Sequence, residues 1–234
     1  MTVEEMIAQR TGKLSAIKDS SNAAVIAKGG SAADDLSGLP AAISSIPAGG
    51  GAKEPYIEET YDANGNLIDV NLVGYTFIRI AAFYSCKKLA LTSLPSGITS
   101  IGDSAFNSCT NLALTSLPSS ITSIGNYAFN SCTNLALTSL PSGITSIGAS
   151  TFNSCTNLAL TSLPSGIIGI GDHAFGNCTM LTSITFQGKP NNIYPNAFNG
   201  CTNLKTINVP WASGEVANAP WGATNATINY NYTG

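Results

Sequence analysis

Residues 105–127 read AFNSCTNLALTSLPSSITSIGNY, and the same 23-residue phrase recurs on both sides with few changes. Phe83, Phe106, Phe129, Phe152, Phe175 and Phe198 fall at that step, as do Cys86, Cys109, Cys132, Cys155, Cys178 and Cys201. A third column is Leu89, Leu112, Leu135, Leu158, Leu181 and Leu204. Six copies in one register predict a solenoid, in which each unit buries its apolar face against its neighbours.

Within a unit, ITSIG sets two β-branched apolar residues among polar ones, and LALTSLP reads as a second short strand ended by proline. No stretch between them is long enough for a regular helix. The spacing predicts a mainly β fold with two short parallel strands per coil, each stacked about 4.8 Å from the next. The Ala-Phe pair and the Cys are expected to line the turn between strands and to point inward. Asn111, Asn134, Asn157 and Asn203 stand two residues after their cysteines. Asparagine there suits the backbone groups that a bend leaves free.

The AFNSCTNL and ITSIG segments resemble the BspA-type leucine-rich repeats of bacterial surface proteins. Residues Asn177–Cys201, NCTMLTSITFQGKPNNIYPNAFNGC, follow that pattern most closely, and the likeness covers roughly residues 75–210. The resemblance implies a curved β-solenoid and adhesion to host or neighbouring-cell surfaces. The central copies depart from it, because Thr92, Thr115, Thr138 and Thr161 stand where the family usually has an apolar residue. The family's register turns the first Leu, the Thr and the last Leu of LALTSL inward. Leu91, Leu114, Leu137 and Leu160 would then form an outward apolar stripe, and such stripes mark interaction sites. A local shift would instead bury these leucines and turn the four threonines out. Burial is favoured, since each leucine side chain is worth about 1.5–3 kcal/mol inside. Both columns are candidate partner surfaces.

Outside the repeats the character of the chain changes. Residues 1–48 read as a helical attachment and oligomerisation module, with apolar Met6, Ile7, Leu14, Ile17, Val25 and Ile26 and a break near Asp19–Asn22. Residues 49–55 are a Gly-rich linker. Residues 56–74 carry Asn64-Gly65 between alternating runs and predict a β-hairpin that caps the first coil. The solenoid is expected over 75–209, and a C-terminal cap over 210–234. In that last segment Trp211 and Trp221 either cover the final coil or offer rings for a ligand to stack on.

The flanks carry a second resemblance. LSAIKDSSNAAVIAKGGSAADDLSGLPAAISSIPAGGG and PWASGEVANAPWGATNATINYNY are similar to segments of phage and prophage tail-associated proteins of Gram-positive hosts. That likeness implies a tail-fibre or receptor-binding protein, made in the bacterial cytoplasm and carried on the virion tail. Its partners would be a host cell-surface glycan or protein and, through residues 1–48, other tail proteins. A homo-oligomer, with a trimer as the guess, follows from the usual symmetry of fibres. The first residues, MTVEEMIAQRTGKLSAIKDS, lack the apolar core of a secretory signal, which suits release by lysis. A BspA-like surface adhesin or interaction scaffold is the alternative.

Composition and motifs argue against other classes. Charged residues are 10% of the chain, against about 25% in typical domains, and net charge is −3. No Asp, Glu, Lys or Arg lies between Ser104 and Gly171, so a nucleic-acid partner is not expected. No apolar window of about 18 residues suggests a membrane span. The cysteines form a ladder and lack the clustered spacing of metal sites; buried reduced thiols are expected. His173, the single histidine, follows Asp172 at a repeat position occupied elsewhere by Ser104, Tyr127 and Ser150. That variety reads as an exposed, permissive site. No enzyme, cofactor or metal is expected.

Overall fold

The computed structural model describes residues 55–233. The expected helical module and residues 49–54 of the expected linker lie outside the described residues. Two strands open the described chain: β1 (Tyr56–Tyr61) and β2 (Leu67–Val73) form an antiparallel hairpin. The turn between them is organised by Asp62, whose carboxylate accepts the main-chain N–H groups of Asn64 and Asn66 at 2.9 and 2.8 Å. β1 is largely exposed, whereas β2 turns Leu67, Val70 and Leu72 inward. The Ile68 carbonyl accepts the Ala90 N–H at 2.9 Å, so β2 stacks on the first coil.

The repeats then wind a β-solenoid. On one face ITSIG and its equivalents supply β3 (Phe77–Ile78), β4 (Ser100–Ile101) and β5 (Ser123–Ile124), paired in parallel. The same face continues in β6 (Ser146–Ile147), β8 (Gly169–Ile170) and β10 (Asn192–Ile193). Every register step is 23 residues, the spacing of the sequence repeat. Ile98, Ile101, Ile121 and Ile124 point inward while Thr99 and Thr122 face out. The second face carries β7 (Ser162–Leu163), β9 (Ser183–Phe186), β11 (Thr206–Asn208) and β12 (Thr227–Asn229), again all parallel. This second ladder begins only at the fourth copy.

Three columns of like residues hold the coils together. The six phenylalanines stack in one file, with successive ring centroids 5.1–5.6 Å apart and planes within 16° of parallel. Such offset stacks add to the apolar area that each ring buries. Beside them, the thiols of Cys109, Cys132, Cys155, Cys178 and Cys201 each donate to a Phe carbonyl of the coil before, at 2.8–3.1 Å. All six cysteines are free, and only Cys86, in the first coil, is partly accessible. Burial pushes the thiols up: Cys86 and Cys201 to about 11, and the four between them higher still. A third file is an amide ladder, in which Asn130 Nδ2 donates to Asn107 Oδ1 at 3.1 Å and Asn153 Nδ2 to Asn130 Oδ1 at 2.9 Å.

The bend after each cysteine is joined differently from the expectation. In the central copies the threonine hydroxyls make the inter-coil bonds: Thr110 to the Lys87 carbonyl, Thr133 to Thr110 and Thr156 to Thr133, at 3.2–3.3 Å. Asn203 does reach the Thr179 carbonyl, at 2.8 Å. Asn111, Asn134 and Asn157 make no such bond.

Candidate functional site

The expected partner surfaces turn on one strand register. Leu91, Leu114, Leu137 and Leu160 are buried, at 0–6% exposure, and Thr92, Thr115, Thr138 and Thr161 are exposed. The local shift has therefore taken place. Counting from the first leucine of each central copy, the inward positions are the first, third and sixth: Leu135, Leu137 and Leu140 in the third copy. The leucines are core residues and are removed from the candidate surface. The physical reason is the gain from hiding a leucine, which a threonine in its place could not match.

Copies five and six keep the other register. Leu181, Ile184 and Phe186 are inside, as are Leu204, Ile207 and Val209. These copies place an apolar residue where Thr138 stands, so alternation and burial agree and the strands pair. In the central copies a single main-chain bond per coil remains along this segment, such as Ala113 N–H to the Leu91 carbonyl and Ala136 N–H to that of Leu114.

Trp211 and Trp221 are also core residues. They are 4% and 0% exposed and close the aromatic file, with Phe186 edge-on to Trp211 at 5.3 Å. Trp221 Nε1 donates to the Ala217 carbonyl at 2.7 Å. Stacking a ligand on either ring would require opening the last coil, so the tryptophans leave the candidate surface as well. Of the proposed residues, the four threonines alone are brought together on the outside.

A second row lies at the repeat position of Ser104, Tyr127, Ser150 and His173, which the sequence marks as exposed and permissive. At the corner after ITSIG each coil presents a pair of residues: Asp103–Ser104, Asn126–Tyr127, Ala149–Ser150, Asp172–His173 and Pro195–Asn196. Asp103 Oδ1 accepts the Asn126 N–H, and Asn126 Oδ1 accepts the Ala149 N–H, both at 2.8 Å. The glycine column beside the corner is closed by the main chain of the coil before, which a Cβ would meet at 2.6 Å at Gly102 and Gly171 and at 2.5 Å at Gly125; the Asp103 and Asn126 side chains fill the same space at Gly125 and Gly148. The second residue of the pair is left-handed in five consecutive coils, with φ of 54° at Ala81, 55° at Ser104, 56° at Tyr127, 51° at Ser150 and 51° at His173. Tyr127 is 45% exposed. Asp172 Oδ2 lies 2.9 Å from His173 Nδ1, and this hydrogen bond holds the Asp172 carboxyl below its ordinary value.

The signal for this row lies in the differences between copies. Residues 106–128 and 129–151 differ at four positions, and three of them are Asn126/Ala149, Tyr127/Ser150 and Ala128/Thr151. The last of these is internal: Thr151 is fully buried, and its hydroxyl donates to the Gly125 and Gly148 carbonyls. The other two face solvent or its edge. Among the described residues no hydroxyl or thiol hydrogen-bonds to His173, and no helix is long and apolar enough to cross a membrane.

Comparison with known proteins agrees with this architecture. No curated protein matches the chain. Among solved structures, a leucine rich repeat protein of T. pallidum superposes with a TM-score of 0.52 at 22% identity, covering 74% of this chain and 96% of its own. A leucine-rich repeat protein from Bacteroides ovatus matches at 21% identity and TM-score 0.35, over 68% of this chain and 46% of that one. A leucine rich cell surface protein from Faecalibacterium prausnitzii gives 24% identity and TM-score 0.35, over 71% and 60%. The family described as BspA type leucine rich repeat region matches residues 76–205 in six copies. With its coils, columns and register accounted for, the chain belongs to the BspA-type leucine-rich-repeat family.

Proposed function

We propose that the chain is a non-catalytic recognition protein whose solenoid touches a bacterial surface and whose residues 1–48 attach and oligomerise it. The observation that supports this most is the repeat itself. A stack of near-identical coils presents side chains in register along an extended surface, the arrangement by which solenoids bind. From Ser104 to Gly171 that surface is uncharged, which suits hydroxyl- and amide-mediated recognition better than phosphate binding.

The resemblance of the flanks to tail-associated segments favours a phage or prophage tail fibre, released by lysis. The family match favours a second reading, a surface adhesin or interaction scaffold. Immunogold labelling of a culture of the producing strain separates them. Gold on the tails of released particles supports the fibre, and gold on the cell envelope supports the adhesin. Label confined to the cytosol, with no binding of the purified full chain to cells, would remove both.

A further inference from the structure

We propose that the corner row of paired residues is the ligand-reading edge of the solenoid, and that it reads a linear neutral glycan laid across successive coils. This deepens the recognition reading above and rests on it.

The first argument is where variation sits. Copies that are otherwise nearly the same change their corner pair at every coil, from Asp103–Ser104 to Asn126–Tyr127 to Ala149–Ser150 to Asp172–His173. The buried Phe, Cys, Leu and Ile columns and the LALTSLPS segment do not change across the first four copies, and among the buried positions beside the corner Thr151 alone departs, standing where the other three have Ala. A framework held constant beneath exposed, diverse side chains is how a repeat protein builds a composite site.

The second argument is backbone conformation. The corner requires a left-handed residue, for which Gly and Asn are the comfortable choices and a bulky ring is not. The neighbouring left-handed column does change to Asn177 and Gly200 in the later copies. The corner instead holds Tyr at 127 and His at 173 in that conformation. His enters this region readily and Tyr does not, so backbone demand does not select the Tyr127 ring; its side chain carries the reason, and strain of this kind gathers at ligand sites.

The third argument is chemistry. Tyr with Ser, Asn and His is the composition of adaptable binding surfaces, a rigid amphipathic ring among small hydrogen-bonding groups. An aromatic face packs against the apolar side of a sugar ring, and Asn, His and carboxylate groups take its hydroxyls. Asp103 and Asp172 stand on this row, and no Lys or Arg lies between them. Acidic chains are therefore disfavoured. A protein partner is anchored by a cluster of aromatic or Arg residues, whereas between those two carboxylates Tyr127 is the row's single exposed ring. An extended chain of sugars, by contrast, repeats at close to the spacing of the coils.

The test uses the full chain on an array of neutral hexose, pentose and N-acetylhexosamine oligosaccharides printed beside uronate- and sulfate-bearing ones. Neutral chains should be retained and acidic ones not. Tyr127→Asn and His173→Asn remove the rings and keep a residue suited to the left-handed backbone. Each should weaken binding about tenfold, as the loss of one aromatic contact does, while Tyr127→Phe keeps it. Retention of acidic chains alone, or of none while the protein still binds cells, overturns the glycan assignment and leaves the recognition reading in place. Binding that survives both Asn variants, or that is lost instead in Thr115→Ala/Thr138→Ala, overturns the corner as the reading edge. Loss of cell binding as well fails the wider reading.

Discussion

Copy three, residues 129–151, and copy five, residues 175–197, are both 23 residues long, and each stacks its Phe ring in the same file. Each also bonds its thiol to the coil before. They part after the first leucine. Copy three buries Leu137 and turns Thr138 out, and its segment joins no ladder. Copy five leaves Ser183 half-buried, puts Ile184 inside and pairs as β9 on both sides. Side-chain burial thus outweighs main-chain pairing where the two conflict. An intramolecular hydrogen bond exchanged for one to water loses only about 0.5–1.5 kcal/mol, whereas an exposed leucine forgoes about 1.5–3 kcal/mol.

The largest effect should come from what the two copies share. The five buried thiols are raised by burial, so their neutral form stabilises the fold. Each contribution is complete below the unfolded thiol value near 9 and is lost as pH rises toward the folded one. The loss is about 1.4 kcal/mol per pH unit for each thiol. A marginal stability of about 5–15 kcal/mol should therefore vanish within roughly two pH units above 9. Urea midpoints recorded from pH 7 to 11 test this, and a variant with all five changed to Ala should lose most of the fall.

Single substitutions then separate the two registers. Leu137→Ala should cost about 2–5 kcal/mol, and Thr138→Ala should stay within about 0.5 kcal/mol. In copy five the order reverses along the strand, with Ile184→Ala costly and Ser183→Ala mild. Equal losses at Leu137 and Thr138 in denaturant titrations would break the comparison.

A register swap sharpens it. Thr161 lies beside Ile184 in the neighbouring coil, so Leu160→Ser with Thr161→Ile gives copy four the pattern of copy five. The double variant should recover about 1–3 kcal/mol of the loss caused by Leu160→Ser alone. Additive losses in the thermal melts would mean that the register is imposed from elsewhere.

The smallest effect concerns strain. Ser108, Ser131 and Ser154 are left-handed with φ of 63°, 59° and 60°, at the position where the last copy has Gly200. Ser131→Gly should raise stability by about 0.5–1 kcal/mol, the strain relieved less the flexibility added. A melting temperature that falls would place the serine's side-chain bond with Asn130 above the backbone cost.

Much of this architecture is legible in the sequence. The 23-residue step of Phe, Cys and Leu set the coil length and the inward columns, and Asn64-Gly65 between alternating runs set the hairpin before them, because each depends on local pattern and stacking. The candidate surface was less legible. Leu137 and Thr138 are adjacent, and strand periodicity alone permits either to face inward; the outcome needed the volume available inside the coil. The tryptophans were ambiguous for a similar reason, since an aromatic near a chain end reads equally as lid or platform. The corner row was visible as variety at Ser104, Tyr127, Ser150 and His173 and read as a permissive surface, because variety alone does not separate tolerance from selection.

Native-state hydrogen exchange followed by residue-resolved NMR tests the central claim, that the central copies bury their third-position leucine and give up the second ladder. The account predicts slow exchange at Ala113 and Ala136, fast exchange at Thr115, Ser116, Thr138 and Ser139, and slow exchange at Thr185 and Gln187, whose N–H groups donate to Thr161 and Leu163. Protection at Thr115 and Thr138 equal to that at Thr185 and Gln187 would show a continuous ladder through all six copies and contradict it.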